Sequence, residues 1–313
     1  MKTSRAFLES LGLAPGDPPD APSSPLRFAD GGQYRIEIPS TEGPRALAAV
    51  LDEAAKRDVP VHRVSQGSGI MLMTDGEIVE MLDLGRRASV EVNLFIGPRA
   101  TFDIGAQAYS PAGKALGLSL RGADQLVFAL EDVRRAVRLG LRSVLVSDLG
   151  ILDLIGRMKA AGQLPADLII KTSVMMAPAN PAAAALLERL GATTINIPSD
   201  LTIPQIAAVR AAIQAPIDFY VEAPDNIGGF IRYYEIPELI RVAAPIYLKF
   251  GLRNAPDIYP SGTHIENTAL ALSRERVRRA AIAMETIARY CPEAVMSPCP
   301  GHKNCNPAGA ELR

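Results

Sequence analysis

The residues best suited to chemistry stand at the ends of short apolar runs. Lys171 closes Leu-Ile-Ile-Lys, Lys249 closes Ile-Tyr-Leu-Lys, and Glu222 closes Ile-Asp-Phe-Tyr-Val-Glu. An amine at the end of an apolar strand is costly to charge, so burial lowers its pKa and makes it nucleophilic toward a carbonyl. The same lysine, kept charged, would hold a carboxylate or phosphate, and a structural ion pair is the third reading of each. Burial acts the opposite way on Glu222 and raises its carboxyl toward a value useful in general acid–base catalysis. The plain alternative is that Glu222 pairs with Lys249 on an adjacent strand.

Other polar groups occupy equivalent places. Ser147-Asp148 and Asn196 end two further runs, and Glu37, His62 with Arg63, and Glu91 with Asn93 lie in earlier ones. Arg253 and Asn254 follow Lys249, and His264 with Glu266 lies in Pro-Ser-Gly-Thr-His-Ile-Glu-Asn. His264 is a candidate acid or base, or a surface histidine. Asp148, Asn93 and Asn196 are candidates to orient a substrate, with Arg253, Asn254, His62 and Arg63 beside them. Gly228-Gly229 permits close backbone approach to a phosphate, or forms a plain turn. Gln66-Gly67-Ser68-Gly69 is a tight loop or an anion cradle, and lacks the spacing of a P-loop or dinucleotide fingerprint.

The chain has 313 residues, with 33 Lys and Arg against 34 Asp and Glu. That balance sets up no field for nucleic acid or an acidic membrane, and basic residues sit among apolar ones at helical spacing. No apolar run reaches the roughly 18 residues of a membrane helix, and the N-terminus has no signal-like core. Three cysteines argue against a disulfide framework and for a cytoplasmic setting. Cys291, Cys299 and Cys305 bracket His302, a set that could bind zinc or an iron–sulfur cluster. The spacing matches no standard ligand pattern, so no cofactor is expected. A small-molecule substrate is the expected partner, and self-association stays open.

Positioning these groups requires strands. Eight apolar runs occur at 34–38, 61–64, 90–95, 143–146, 168–172, 193–197, 217–221 and 246–249. They are near-continuously apolar, as in parallel strands covered on both faces. Between them lie helical stretches with caps: Asn180-Pro181 before one and Gly191 after it, Thr202 with Gln205 opening the next, Gly140 closing an earlier one. Eight β–α units within about 260 residues predict a closed (β/α)8 TIM-type barrel, with an open doubly wound sheet as the alternative. Residues 1–32 read as a mobile, extended Pro-rich lead-in, 33–292 as the barrel and 293–313 as a cysteine-containing tail. The connections 97–124 and 251–270 are long enough to be lids or binding loops. The second is expected to fold over the mouth, with Arg253 gripping an anionic group and His264 above the substrate, unless it serves an oligomer contact.

Val-Leu-Val-Ser-Asp-Leu-Gly-Ile-Leu-Asp-Leu-Ile, followed by Ile-Ile-Lys-Thr-Ser-Val-Met-Met-Ala-Pro-Ala-Asn-Pro and Leu-Gly-Ala-Thr-Thr-Ile-Asn-Ile-Pro-Ser-Asp-Leu-Thr-Ile-Pro, resembles peptidase family U32. That collagenase-like group includes proteins of ubiquinone and tRNA hydroxylation. The resemblance covers about a third of the chain. It implies a barrel, a peptidase-like hydrolase, and a cysteine-bearing segment after the next strand able to hold an iron–sulfur cluster. Here that segment is Phe-Tyr-Val-Glu-Ala-Pro-Asp-Asn-Ile-Gly-Gly-Phe-Ile-Arg, without cysteine. No Gly-x-Ser-x-Gly elbow or His-Glu-x-x-His motif is present either.

The expectation is therefore a barrel enzyme acting on a small polar or anionic metabolite at the mouth formed by the strand C-termini. Glu222 is the expected acid or base, and Lys171, Lys249 and Arg253 the anion-binding groups. A U32-type hydrolase, a lyase using a lysine, a metal-dependent protein and a non-catalytic binding barrel are the alternatives.

Overall fold

The structure, a computed structural model, describes residues 2–97 and 118–299. The eight apolar runs form parallel strands: β1 (Tyr34–Pro39), β2 (Arg63–Ser65), β3 (Glu91–Phe95), β4 (Ser143–Val146), β5 (Ile169–Thr172), β6 (Ile195–Asn196), β7 (Ile217–Glu222) and β8 (Ile246–Phe250). Their order is β5-β4-β3-β2-β1-β8-β7-β6, and a parallel bridge between Lys171 and Thr194 joins the two ends. The result is a (β/α)8 barrel, as the strand count predicts.

Among the described residues, after α1 (Lys2–Ser10), one α-helix follows each strand: α2 (Pro44–Arg57), α3 (Asp75–Ala88), α4 (Gly122–Arg138), α5 (Leu149–Ala160), α6 (Pro181–Arg189), α7 (Ile203–Ala211), α8 (Ile236–Ala243) and α9 (Glu266–Tyr290). The expected caps are in place. Asn180 accepts from the Ala183 N–H at 2.9 Å, and Thr202 and Gln205 form a reciprocal capping box. Gly140 and Gly191 take the left-handed conformation that ends α4 and α6. A further box at Thr74 and Glu77 opens α3. The main apolar core includes outward-facing strand residues such as Ile36, Ile38, Val64 and Leu248 and helix residues such as Leu47, Ile78 and Val277.

The segment before β1 departs from the extended, mobile lead-in. Residues 2–10 are helical, and Ala21, Ser24 and Phe28 are buried. The Ser24 N–H donates to the Arg241 carbonyl at 2.8 Å, and the Arg241 guanidinium donates to the Ala21 carbonyl at 2.8 Å. Docking is possible despite the prolines because the barrel supplies the partners that this backbone cannot supply to itself. Phe28 meets Tyr247 edge-on at 5.3 Å and stacks under Arg35, plugging the N-terminal end of the barrel. The start of the tail joins the same end, where the Ser297 N–H donates to the Tyr34 carbonyl at 3.1 Å.

Candidate functional site

Strand alternation turns every second residue into the barrel, and here many of those residues are charged. Glu37 of β1 lies at the centre. Arg63 donates to it from Nε at 2.8 Å, Lys171 of β5 donates to its Oε1, and Ser65 donates to the same oxygen at 2.7 Å. Arg63 also donates to Asp218 of β7 and lies 3.5 Å over the Tyr247 ring. Thr194 donates to the second Asp218 oxygen at 2.6 Å, while Asn93 bridges Ser65 and Ser143. Isolated charges at this depth would be prohibitive, and the mutual pairing is what makes them tolerable.

Lys249 of β8 is the cation of this network next to the strand C-termini. Its Nζ is 3.9 Å from Glu37 Oε1 and 3.9 Å from the centre of the Tyr220 ring. With its amide turned to satisfy both ends, Asn196 accepts from Lys249 Nζ at 2.6 Å and donates to the Asp218 carbonyl at 3.1 Å. Tyr259, in the loop after β8, is near enough to influence the Lys249 charge, and its hydroxyl hydrogen-bonds to Ser40 beyond β1. On the opposite side, Phe95, Leu118 and Leu145 form an apolar wall with Met175.

The electrostatics make both amines easier to deprotonate. Arg63 meets three carboxylates, Glu37, Asp218 and the partly buried Glu91 at 3.7 Å, whereas Lys171 and Lys249 share Glu37 alone. Burial pushes Lys249 down to about 8, with Arg63 adding to the effect and Glu37 opposing it. Burial, then Arg63, also holds Lys171 well below the ordinary ammonium range. Burial alone would raise Glu37, but Arg63, Lys171 and Lys249 outweigh it and keep it firmly ionised.

The network thus unites Lys171, Lys249, Asn93, Asn196 and Arg63 from the sequence-derived candidates. It does not include Glu222. A bulge in β7 lets Tyr220 pair with Lys249 while Glu222 pairs with Phe250, whose side chain leaves the barrel. Glu222 accordingly faces the helix layer. It accepts from the Tyr233 hydroxyl and the Arg253 N–H, each at 3.0 Å, and lies 3.6 Å from Arg279 of α9. It also makes no ion pair with Lys249. Asp148 caps α5, accepting from Ile151 N–H and Leu120 N–H at 3.0 Å.

Arg253 is held by Asp225 at 2.6 Å and by the Gly229 carbonyl at 2.5 Å, and Asp225 also accepts from the Asn254 N–H. Gly228 and Gly229 spend their N–H groups on the Asp225 and Pro224 carbonyls, so they form a turn and no phosphate cradle. In the Gly67-Ser68 loop the cradle exists but holds Glu42, which accepts from both N–H groups at 2.7 and 3.1 Å. His62 precedes β2 at the N-terminal end of the barrel, accepting from the Ile36 N–H at 3.1 Å and reaching the Ser297 carbonyl at 3.0 Å. Its place is opposite the mouth, because the strand begins after it.

The loop after β8 is shorter than expected, since α9 begins at Glu266. It crosses toward β1 and β2, with Tyr259 on Ser40 and the Ser261 N–H on Ser68 at 2.7 Å. His264 is exposed. Cys291 and Cys299 are buried, the latter against the Val61 carbonyl at the N-terminal end. His302, Cys305 and most of the 97–124 connection lie outside the described residues. Among the described residues no group of His, Cys, Asp and Glu is arranged to hold a metal ion, and no helix is long and apolar enough to cross a membrane.

Ser65 and Asp218 are the site residues that sequence reasoning left out, and Glu37 and Tyr259 received no role in it. A signal was available. Glu37 and Asp218, like Lys171 and Lys249, are charges flanked by apolar residues in buried strands, and such a strand carries a charge only where another strand supplies its partner.

No curated protein matches this chain. Among solved structures, it is similar to the YdjI aldolase from Escherichia coli K12, with 16% identity over 82% of this chain and 91% of that one, at a TM-score of 0.48. The U32 peptidase Mk0906 shows 15% identity over 75% of this chain and 98% of that one, TM-score 0.43. The putative copper homeostasis protein CutC from Streptococcus agalactiae shows 15% identity over 69% and 98%, TM-score 0.43. These are likenesses of fold alone. Residues 120–223, about a third of the chain and spanning β4 to β7, match the model of peptidase family U32.

Proposed function

We propose that the protein is an enzyme that uses Lys249 as a reactive amine toward a small carbonyl compound entering the barrel mouth. The observation that carries this reading is the sharing of the Glu37 carboxylate by two buried lysines, with Lys249 on the mouth side beneath Tyr259. A second cation beside an amine favours its neutral, nucleophilic form. The Lys249 nitrogen adds to the carbonyl carbon. The carbonyl oxygen takes up protons and leaves as water, giving an imine that withdraws electrons from a neighbouring carbon–carbon or carbon–hydrogen bond. In this reading Tyr259 exchanges a proton with that oxygen, and Asn196 fixes the amine before attack. This is lyase-type chemistry.

Borohydride trapping tests it. Full-length protein is incubated with pyruvate, glyoxylate or glyceraldehyde and then reduced. A mass gain equal to the carbonyl compound less one oxygen atom is expected, mapped to Lys249 and missing in Lys249→Met. A label distributed over exposed lysines only would refute it.

A second reading is a hydrolase. Lys171 Nζ lies 3.1 Å from Ser65 Oγ, the pairing of a serine–lysine dyad. Covalent labelling of Ser65 by a fluorophosphonate, without imine trapping, would favour that reading.

A further inference from the structure

Arg276 of α9 is buried to 5% exposure at the β8–β1 side of the barrel, where α9 packs against both strands. Its Nη1 donates to the Ser40 carbonyl at 3.3 Å, while its Nε is buried with no hydrogen-bond partner. Among the described residues it has no ion pair. Arg279, one turn along the same helix, differs: it is matched by Glu275 and Glu222. Glu42, the acid that bears on Arg276, is already held by the Gly67 and Ser68 N–H groups. Tyr220 and Tyr259, the tyrosines that flank Lys249, are also the ones that bear on Arg276. A buried guanidinium with one carbonyl partner costs stability, and such a cost is sustained where an anion completes the pairing.

We infer that Arg276 receives the anionic end, a carboxylate or phosphate, of the substrate that Lys249 attacks. The Arg276 Nε–H is the unused donor for an oxygen of that anion, and the Tyr259 hydroxyl hydrogen-bonds beside it on Ser40. The substrate class narrows to small oxo acids or phosphorylated carbonyl compounds. This rests on the Lys249 reading for the word substrate, although the anion site stands independently of imine formation.

The test uses full-length protein with Arg276→Met and Lys249→Met variants. Thermal unfolding and calorimetric titration are run with sodium pyruvate, sodium oxalate and inorganic phosphate, against sodium chloride of equal ionic strength. At least one of the three oxyanions should raise the wild-type Tm saturably. Arg276→Met should bind it roughly tenfold or more weakly, the loss expected for a charge-assisted pair. Without ligand, that variant should unfold at the same or higher temperature, since an unpaired buried charge is gone. Lys249→Met should retain oxyanion binding within about threefold, so loss of trapping with retained binding would fault only the amine. The anion site is overturned if none of the three binds wild type, or if Arg276→Met binds equally well. A lower Tm for Arg276→Met with unchanged binding would make the arginine a support for Ser40.

Discussion

Lys249 and Lys171 address the same oxygen, Oε1 of Glu37, one from 3.9 Å and the other by a direct hydrogen bond. Two amines on one carboxylate oxygen cannot both be fully compensated in a dry interior. The arrangement costs stability and leaves one amine easily discharged, the condition that lysine chemistry requires.

Glu37→Gln should therefore be among the most damaging single changes, because it strands Lys171 and removes one carboxylate from Arg63. Removing one member of a buried ion network typically costs about 3–5 kcal/mol, measurable by urea unfolding at pH 7. The deficit should shrink at pH 9.5, where the lysines can stay neutral.

Stability should rise with pH above 8. Lys249 titrates near 8 in the folded chain, against 10.5 as its ordinary value. Between those values the unfolded chain binds more protons, so raising pH favours folding, by up to about 1.4 kcal/mol per pH unit for one group. Urea midpoints from pH 7.5 to 10 should show that slope in wild type and a flatter one in Lys249→Met.

Glu222→Gln should destabilise without abolishing chemistry. It weakens the hold on Arg279, Tyr233 and the Arg253 N–H, at a cost of roughly 1–3 kcal/mol. Borohydride trapping at Lys249 should persist in the folded variant. Loss of trapping with stability intact would return Glu222 to the chemistry.

Asp148→Ala should cost about 1 kcal/mol, as loss of a helix N-cap does. Oxyanion affinity should remain within about twofold of wild type in the calorimetric titration.

The barrel is legible in the sequence because continuous apolar strands and capped helices are local patterns. The two lysines are legible for the same reason, each being a charge at the end of a dry run. Glu222 looks identical by that criterion, and only the β7 bulge, a property of its pairing with β8, turns it outward. Asp148 carried a local signal that pointed elsewhere: an aspartate directly before an apolar helix is a cap first. Arg253 and Glu42 depend on contacts between loops far apart in sequence, which no periodicity encodes.

The ionisation of the Lys249 amine tests the central claim most directly. Protein with 15N-labelled lysine side chains, assigned through Lys249→Arg, can be titrated by NMR from pH 6 to 11. A Lys249 midpoint near 8, well below those of the exposed lysines, is the expected result. An Nζ still charged at pH 10 would contradict the proposal that this amine is the reactive group.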